Sequence, residues 1–257
     1  MKKAVKPGEI FAILLAFISI APFCYVLVLS FLPASGGITF DYYYDVFLGS
    51  PQYLLRFWKS MGICLCIVAG QLVVSVLAGY GFAKCEFRGR DTLLFVLMIL
   101  MVLPLQVTLA PNYIMLDKLG LLDTYSALIL PSIFMPLGTF VLTQSFKSVS
   151  DDIIDAARLD GCGLFRLLTK IILPMNTSGL VCVTLLSFLD GWNMVEQPIA
   201  YIKDFLRYPL SVALAYVSPA DPTLQLVCCI LVVLPPLFLF TYFNRELVEG
   251  IVLAEVK

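Results

Sequence analysis

Histidine is absent from the 257 residues, and charged residues make up only 14% of the chain. The sequence therefore lacks the commonest metal ligand and acid–base side chain. No GxxxxGKS or GxxxxGKT stretch is present, so we expect no nucleotide phosphates to bind to this chain. The eight cysteines include no CxxC pair, and most lie in apolar runs, which indicates small buried residues rather than metal or disulfide sites. A net charge of −1 gives no indication of nucleic-acid binding.

The chain is instead rich in apolar residues. Hydrophobic residues make up 60% of the chain, with a mean hydropathy of +0.95, well above a soluble domain. A membrane crossing needs roughly 20 apolar residues, and six charge-free windows are long enough. They are 10–40 (with the crossing itself over 10–32), 60–83, 92–116, 124–146, 171–189 and 222–244. The sequence predicts an all-α membrane protein with six transmembrane helices in a lipid bilayer.

The basic residues are unevenly divided between the two sides of this arrangement. Twelve of the 17 Lys and Arg residues fall on the side of the N-terminus. The other five are Arg56, Lys59, Lys118, Lys203 and Arg207. Because cytoplasmic loops carry an excess of Lys and Arg, both termini and the loop 151–170 are predicted to be cytoplasmic.

That loop is the one long charged segment between two apolar runs, DDIIDAARLDGCGLFRLLTKIILP over 151–174. Ser150 is predicted to cap the first helix, and Gly161 is typical of the position just past a helix end. The first helix has an apolar face with Ile153, Ile154 and Ala157. A second helix is predicted to turn Leu164, Leu168 and Ile171 to one side. A solvated linker needs none of this order, so we expect a docking surface for a partner.

The spacing in this loop resembles the EAA loop of ABC-importer membrane subunits. The shared pattern is an acid followed by Ala-Ala, then Gly after three residues, then Ile-x-Leu-Pro after nine more. Six of the seven matching positions hold the family's residue; Asp155 stands where Glu is usual. The predicted ATPase-coupling residues, within a coupling loop over 150–174, are Asp155, Ala156, Ala157, Asp160, Gly161, Ile171, Leu173 and Pro174.

The resemblance extends over most of the chain and is closest to the sugar-importer branch of maltose type. It is carried by residues 78–90, 103–125, Trp192-Asn193 and 243–257. The tail departs at Ala254 and Glu255, and Ser178 replaces a usual proline. These departures leave the solute open. The resemblance implies the ABC importer transmembrane-domain fold, as a single domain over 1–257.

The resemblance also implies partners. ATP and Mg would be held by a separate cytoplasmic ATPase dimer, with no cofactor on this chain. A homologous second permease subunit and an extracytoplasmic solute-binding protein would complete the importer. Its place would be the prokaryotic cytoplasmic (inner) membrane, as a multi-pass protein carrying a sugar or oligosaccharide.

Three polar residues near the outer ends of the spans are predicted to line the solute path: Gln106, Asn193 and Glu196. Amides and carboxylates suit sugar hydroxyls, and a flat ring such as the adjacent Trp192 suits the C–H face of a sugar. An alternative interpretation is that these residues only cap helices at the interface.

Other functions remain open at the level of sequence. The same machine could carry a non-sugar solute such as a polyol phosphate, and a secondary carrier would transport without ATP. A polytopic membrane enzyme would need clustered catalytic groups, and the only candidates are Asp190, Glu196 and Asp204. No enzymatic activity is therefore expected of this chain.

Overall fold

The computed structural model describes residues 7–32, 37–49, 51–216 and 222–255, and within these ranges the chain is helical with no strand. The all-α prediction is confirmed. The first half contains α1 (Pro7–Leu29), α2 (Asp41–Tyr44), α3 (Pro51–Lys84), α4 (Arg90–Val102), α5 (Leu105–Lys118), α6 (Ser126–Ile133) and α7 (Pro136–Lys147). The second half contains α8 (Asp151–Leu159), α9 (Leu164–Leu167), α10 (Leu173–Met175), α11 (Thr177–Trp192), α12 (Glu196–Tyr201), α13 (Leu210–Ala213) and α14 (Pro222–Glu255). Asp45–Gly49 and Leu168–Ile172 are π-helical, and Phe205–Arg207 and Leu214–Tyr216 are 3-10 turns.

Three segments of the described chain are long and apolar enough to cross a membrane by themselves. They are Gln52–Lys84, Ser126–Lys147 and Pro222–Glu246, in agreement with three of the sequence windows. Two more windows are each a pair of helices joined at a sharp bend, and the number of crossings reaches five if each pair counts as one. The described apolar part of α1, Leu14–Leu29, is shorter. The predicted number of six crossings is therefore not confirmed.

The window 92–116 is a pair of helices rather than one continuous helix. α4 and α5 meet at an angle of 104° across Leu103 and Pro104. Leu103 is extended (φ −66°, ψ 127°), because the ring of a following proline disfavours helical geometry at the residue before it. At about 1.5 Å per residue, each of the two helices is shorter than the ~30 Å hydrocarbon core.

The window 171–189 is also interrupted. α11 begins only at Thr177, and the helical segment Leu164–Met175 meets it at 87°. The bend is at Asn176 (φ −122°, ψ 36°), whose buried side chain donates to the carbonyl of Ile172 at 2.7 Å and accepts from the hydroxyl of Ser145 at 2.8 Å. A polar side chain inside an apolar bundle thus satisfies backbone groups that the bend leaves free.

α3 is central to the bundle and contacts α6, α7 and α11, while α11 also contacts α14. Gly79 permits a close crossing of α3 and α7, since a Cβ there would lie 3.0 Å from the Cβ of Leu142. We call the end of the bundle that carries residues 149–170 the coupling end. The opposite end carries residues 119–125 and 193–216.

Candidate coupling surface and solute path

Helix α8 has a defined beginning and a defined end. The hydroxyl of Ser150 accepts from the backbone amide of Asp152 at 3.3 Å, which confirms the predicted cap. Gly161 follows the helix with φ +73°, a left-handed conformation that glycine adopts without strain. The amide of Cys162 donates to the carbonyl of Ala157 at 3.0 Å, the bond expected of a Schellman end. The predicted helix stop at Gly161 is confirmed.

The inner face of the loop is buried against the bundle. Ile154 and Ala157 are only 2% and 7% exposed and join a cluster with Phe146 of α7. In the second helical segment, Leu167 and Ile172 are buried as well. This anchored face holds α8 in a fixed position on the ends of the membrane helices.

The prediction of which side chains of the second helix face the bundle is partly wrong. Leu168 is buried as expected, but Leu164 is 57% exposed and Ile171 only half-buried. The backbone is π-helical from Leu168 to Ile172. Because a π turn holds more residues than an α turn, it changes which side chains meet the bundle. The prediction assumed a uniform α-helical period of 3.6 residues per turn.

The outer face of the loop presents large apolar side chains. Leu159 is 90% exposed and Phe165 is 81% exposed, and Leu164, next to Phe165 in sequence, is exposed as well. The Asp155 carboxylate is also exposed and accepts from Arg158 at 3.4 Å. We call Asp155, Leu159, Leu164 and Phe165 the coupling surface. Exposed apolar residues with a charged rim are typical of an interaction site.

The predicted coupling residues divide between these two faces. Ala157 is buried, and Ile171 and Leu173 are half-buried. The others are exposed: Asp155, Ala156, Asp160, Gly161 and Pro174. The pattern therefore combines positions that hold the loop on the bundle with positions that are free to meet another protein.

Lys84, which the sequence did not indicate as a site residue, ties this loop to α3. The Lys84 ammonium donates to the backbone carbonyl of Val149 at 2.5 Å and to the carboxylate of Asp151 at 2.7 Å. The Lys84 side chain is 6% exposed, whereas that of Asp151 is 80% exposed. These partners are remote in sequence from Lys84, so no local pattern indicated the contact.

The structure brings together two of the three residues predicted for the solute path. The Gln106 amide nitrogen donates to Glu196 Oε1 at 2.8 Å. Gln106 lies in the first turn of α5, just after the bend at Pro104, and Glu196 begins α12. The other oxygen, Oε2, is buried and has no hydrogen-bond partner within the described ranges. Asn193 lies at the end of α11, exposed and outside this pair.

Trp192 does not offer the ring face expected of it. Its side chain is 3% exposed, stacks on Phe188 with centroids 5.5 Å apart, and donates to the carbonyl of Val232 at 3.0 Å. The indole is therefore part of the core between α11 and α14. Its position next to Asn193 in the sequence does not place it in the solute path.

Asp123 organises the opposite end. It has φ +59°, and its carboxylate accepts from the backbone amides of Lys203 and Asp204 at 3.0 and 3.1 Å. Its own amide donates to the carbonyl of Tyr201 at 2.9 Å, and Arg207 donates to its carbonyl. The backbone hydrogen bonds from Asp204 and Lys203 lower the pKa of the Asp123 carboxyl from its usual value. Two segments at this end of the bundle are thereby joined at one residue.

Residues 71–248 match the family model described as "Binding-protein-dependent transport system inner membrane component". The chain belongs to this family. It is therefore a permease subunit of an ABC importer and an integral, multi-pass component of the inner membrane. The match includes α4 to α13 and so contains both the coupling surface and the Gln106–Glu196 pair.

Curated relatives cover most of the chain. It is 27% identical over 259 residues to the arabinooligosaccharides transport system permease protein AraQ of Halalkalibacterium halodurans, covering 95% of this chain and 93% of the relative. It is 27% identical over 203 residues to the sn-glycerol-3-phosphate transport system permease protein UgpE of Brucella melitensis, covering 77% and 72%. A similar structure is a bacterial ABC transporter "involved in the import of the acidic polysaccharide alginate", with a TM-score of 0.79, 19% identity and coverage of 95% and 99%. At that identity the structural likeness shows the shared fold.

Proposed function

We propose that this chain is the membrane subunit of an ATP-driven importer of a sugar or oligosaccharide, coupled to a separate ATPase through residues 151–170. The observation that carries the proposal is the two-sided coupling loop. Its inner face is fixed on the bundle by Ile154 and Ala157, and its outer face exposes Leu159 and Phe165. An anchored helix with a free apolar face can transmit a partner's movement to the membrane helices.

The ATPase dimer is the partner proposed for the coupling surface, and ATP and Mg are held on that dimer. Asp155 supplies a negative charge at the rim, where a basic residue of the partner can pair with it. Asp160 and Gly161 lie at the exposed helix end and define how closely the partner approaches. In this division of labour the present chain contributes no catalytic residue.

The second permease subunit and a solute-binding protein complete the proposed assembly. Apolar side chains that remain exposed on α4, such as Phe95 and Val102, suit contact with lipid or with that second subunit. The coupling end is proposed to be cytoplasmic, with both termini. The opposite end then faces the binding protein, and rigid-body alternating access moves the solute between the two sides.

The proposed solute is a sugar because the AraQ relatives are named for arabinooligosaccharides and cover most of this chain. Gln106, Asn193 and Glu196 are proposed to touch it or its binding protein. The similarity to UgpE favours sn-glycerol 3-phosphate or a related polyol phosphate as the second candidate. A secondary carrier would differ from both of these importers because it would transport its solute without ATP.

Reconstitution tests the proposal. The chain is expressed with the genes beside its own, purified in mild detergent and analysed for co-purifying proteins. The complex is then placed in proteoliposomes with its binding protein, and uptake of arabinotriose and sn-glycerol 3-phosphate is measured with and without enclosed ATP. We expect an ATPase and a second permease to co-purify, and uptake to require ATP. Uptake that persists without ATP contradicts the proposal.

A further inference from the structure

We propose that Gln106 and Glu196 form a charge-selecting contact that accepts an uncharged, hydroxyl-bearing solute and disfavours an anionic one. The inference rests on the proposed function, since it assumes that the pair lies in the solute path. It goes beyond that function by naming the solute class that this site admits.

The hydrogen bonding of the pair leaves specific groups for a ligand. A carboxylate can only accept, so the Gln106 amide nitrogen must be the group that faces Glu196 Oε1 at 2.8 Å. This fixes the orientation of the amide and directs its carbonyl oxygen away from the carboxylate. Glu196 Oε2 is buried and has no donor within the described ranges. The site therefore presents carboxylate and carbonyl acceptors together with one remaining N–H of Gln106, a mixture that a hydroxyl-bearing ligand can match.

Sugar hydroxyls are donors of the right kind. A hydroxyl group donates one hydrogen bond and can accept others, so neighbouring hydroxyls can reach a carboxylate oxygen and an amide together. Oε2 is buried in the described chain, so a solute hydroxyl reaches it only when the Glu196 side chain turns toward the path. The new hydrogen bond then removes the cost of a buried oxygen without a donor. A phosphate or uronate would bring further acceptors to oxygens that cannot donate.

Charge favours the same solute. Within the described ranges no Lys or Arg forms an ion pair with Glu196; the recorded pairs involve Asp91, Asp123, Asp151, Asp155 and Asp204. The negative charge of Glu196 is thus shared only with a neutral amide. An anion in the path would meet the like charge of Glu196 and be repelled by it.

The position of the pair suits a selecting contact. Gln106 follows the 104° bend between α4 and α5, and Glu196 begins the segment after α11. The same two elements meet again where the Tyr201 hydroxyl donates to the carbonyl of Leu109 at 3.4 Å. The Gln106–Glu196 bond is therefore not the only tie between α5 and α12. Its loss can change selection while the packing remains.

Glu196→Gln tests the proposal because it removes the charge and keeps the size and hydrogen-bonding shape. Initial uptake of uncharged arabinotriose and anionic sn-glycerol 3-phosphate is measured in proteoliposomes containing the whole complex. We expect the parent to favour arabinotriose. Glu196→Gln should lower the ratio of the two kcat/KM values at least about tenfold, through a higher KM for arabinotriose and a lower KM for the anion.

Asp117→Asn is the matched control, since it removes one negative charge from the exposed far end of the same helix α5. Its ratio should equal that of the parent. ATP-dependent uptake with the same ratio in Glu196→Gln and the parent overturns the inference and leaves the importer function standing. A parent that prefers the anion also overturns it. No ATP-dependent uptake of either probe contradicts the proposed function and this inference with it.

Discussion

Lys84 joins two parts of the chain that are 65 residues apart, the end of α3 and the start of the coupling loop. Its side chain is almost enclosed, and it supplies the hydrogen-bond donor for the Val149 carbonyl. Removing a donor from a buried carbonyl costs about 1–3 kcal/mol. Movement of α8 can therefore pull on α3 through this contact, in addition to the apolar cluster beneath the loop.

We predict that Lys84→Met weakens coupling more than assembly. The complex should still purify, but solute-stimulated ATPase activity should fall several-fold and fewer solute molecules should enter per ATP hydrolysed. Lys84→Arg should restore part of the stimulation because it keeps the charge and the donor. The exposed Lys147 at the same end provides the control Lys147→Met. Equal stimulation in Lys84→Met and the parent would remove Lys84 from the coupling route.

Asp123 gives a pH-dependent prediction at the same scale. Its folded-state pKa is lowered, so its contribution to stability is present above its unfolded pKa and is lost as pH falls through the folded value. Asp123→Ala should lower the Tm of the purified complex at pH 7. The difference from the parent should shrink below about pH 3.8, the usual value for Asp. Intrinsic tryptophan fluorescence measures both, and a difference independent of pH contradicts the assignment.

At the scale of elements, the two glycines of the coupling loop differ in what they permit. Gly161 has φ +73°, whereas Gly163 has φ −70°, and a Cβ at either position would have open space around it. Within this chain, any difference between substitutions at these sites therefore comes from backbone conformation. A left-handed conformation costs a residue with a side chain about 1–2 kcal/mol.

We predict that Gly161→Leu leaves membrane insertion intact but uncouples uptake from ATP hydrolysis. The strained end would move Leu159 and Asp160 away from the ATPase. Asp155→Lys should have a similar effect, because reversed charge meets the partner surface with the wrong sign. Gly163→Leu is the matched control and should remain coupled. The measurement is uptake per ATP in proteoliposomes; normal coupling in Gly161→Leu and Asp155→Lys would contradict the coupling assignment.

How far these elements could be predicted depends on the range of the interactions that form them. The ends of α8 were predictable because Ser150 and Gly161 act within a few residues. The bend at Pro104 has a local cause that the sequence displays, although its angle does not follow from it. The bend at Asn176 depends on Ser145, 31 residues away, so the window 171–189 looked continuous. The Gln106–Glu196 contact spans 90 residues, and only the polarity of its members was visible.

At the scale of the whole molecule, long-range hydrogen bonds determine which loops share an end. Lys84 meets Asp151, so the end of α3 and the start of α8 lie together. Asp123 meets Tyr201 and Lys203, so the loops after α5 and α12 lie together at the other end. This division holds whether each bent pair counts as one crossing or as a re-entrant segment. The number of crossings can remain open while the two ends are defined.

Which end is cytoplasmic is predicted from charge, and this orientation gives the final prediction. The coupling end carries Lys84, Arg158, Arg166 and Lys170, and excess basic charge is retained on the cytoplasmic side. In a variant without the eight native cysteines, Asp160→Cys and Lys203→Cys place single thiols at opposite ends. A membrane-impermeant maleimide should label residue 203 in intact cells, and residue 160 only after permeabilisation. Labelling of residue 160 from outside would show that the orientation is the opposite of the predicted one. A cytoplasmic ATPase could then not reach the coupling surface. Labelling of both residues from outside would contradict the separation of the two ends by a membrane.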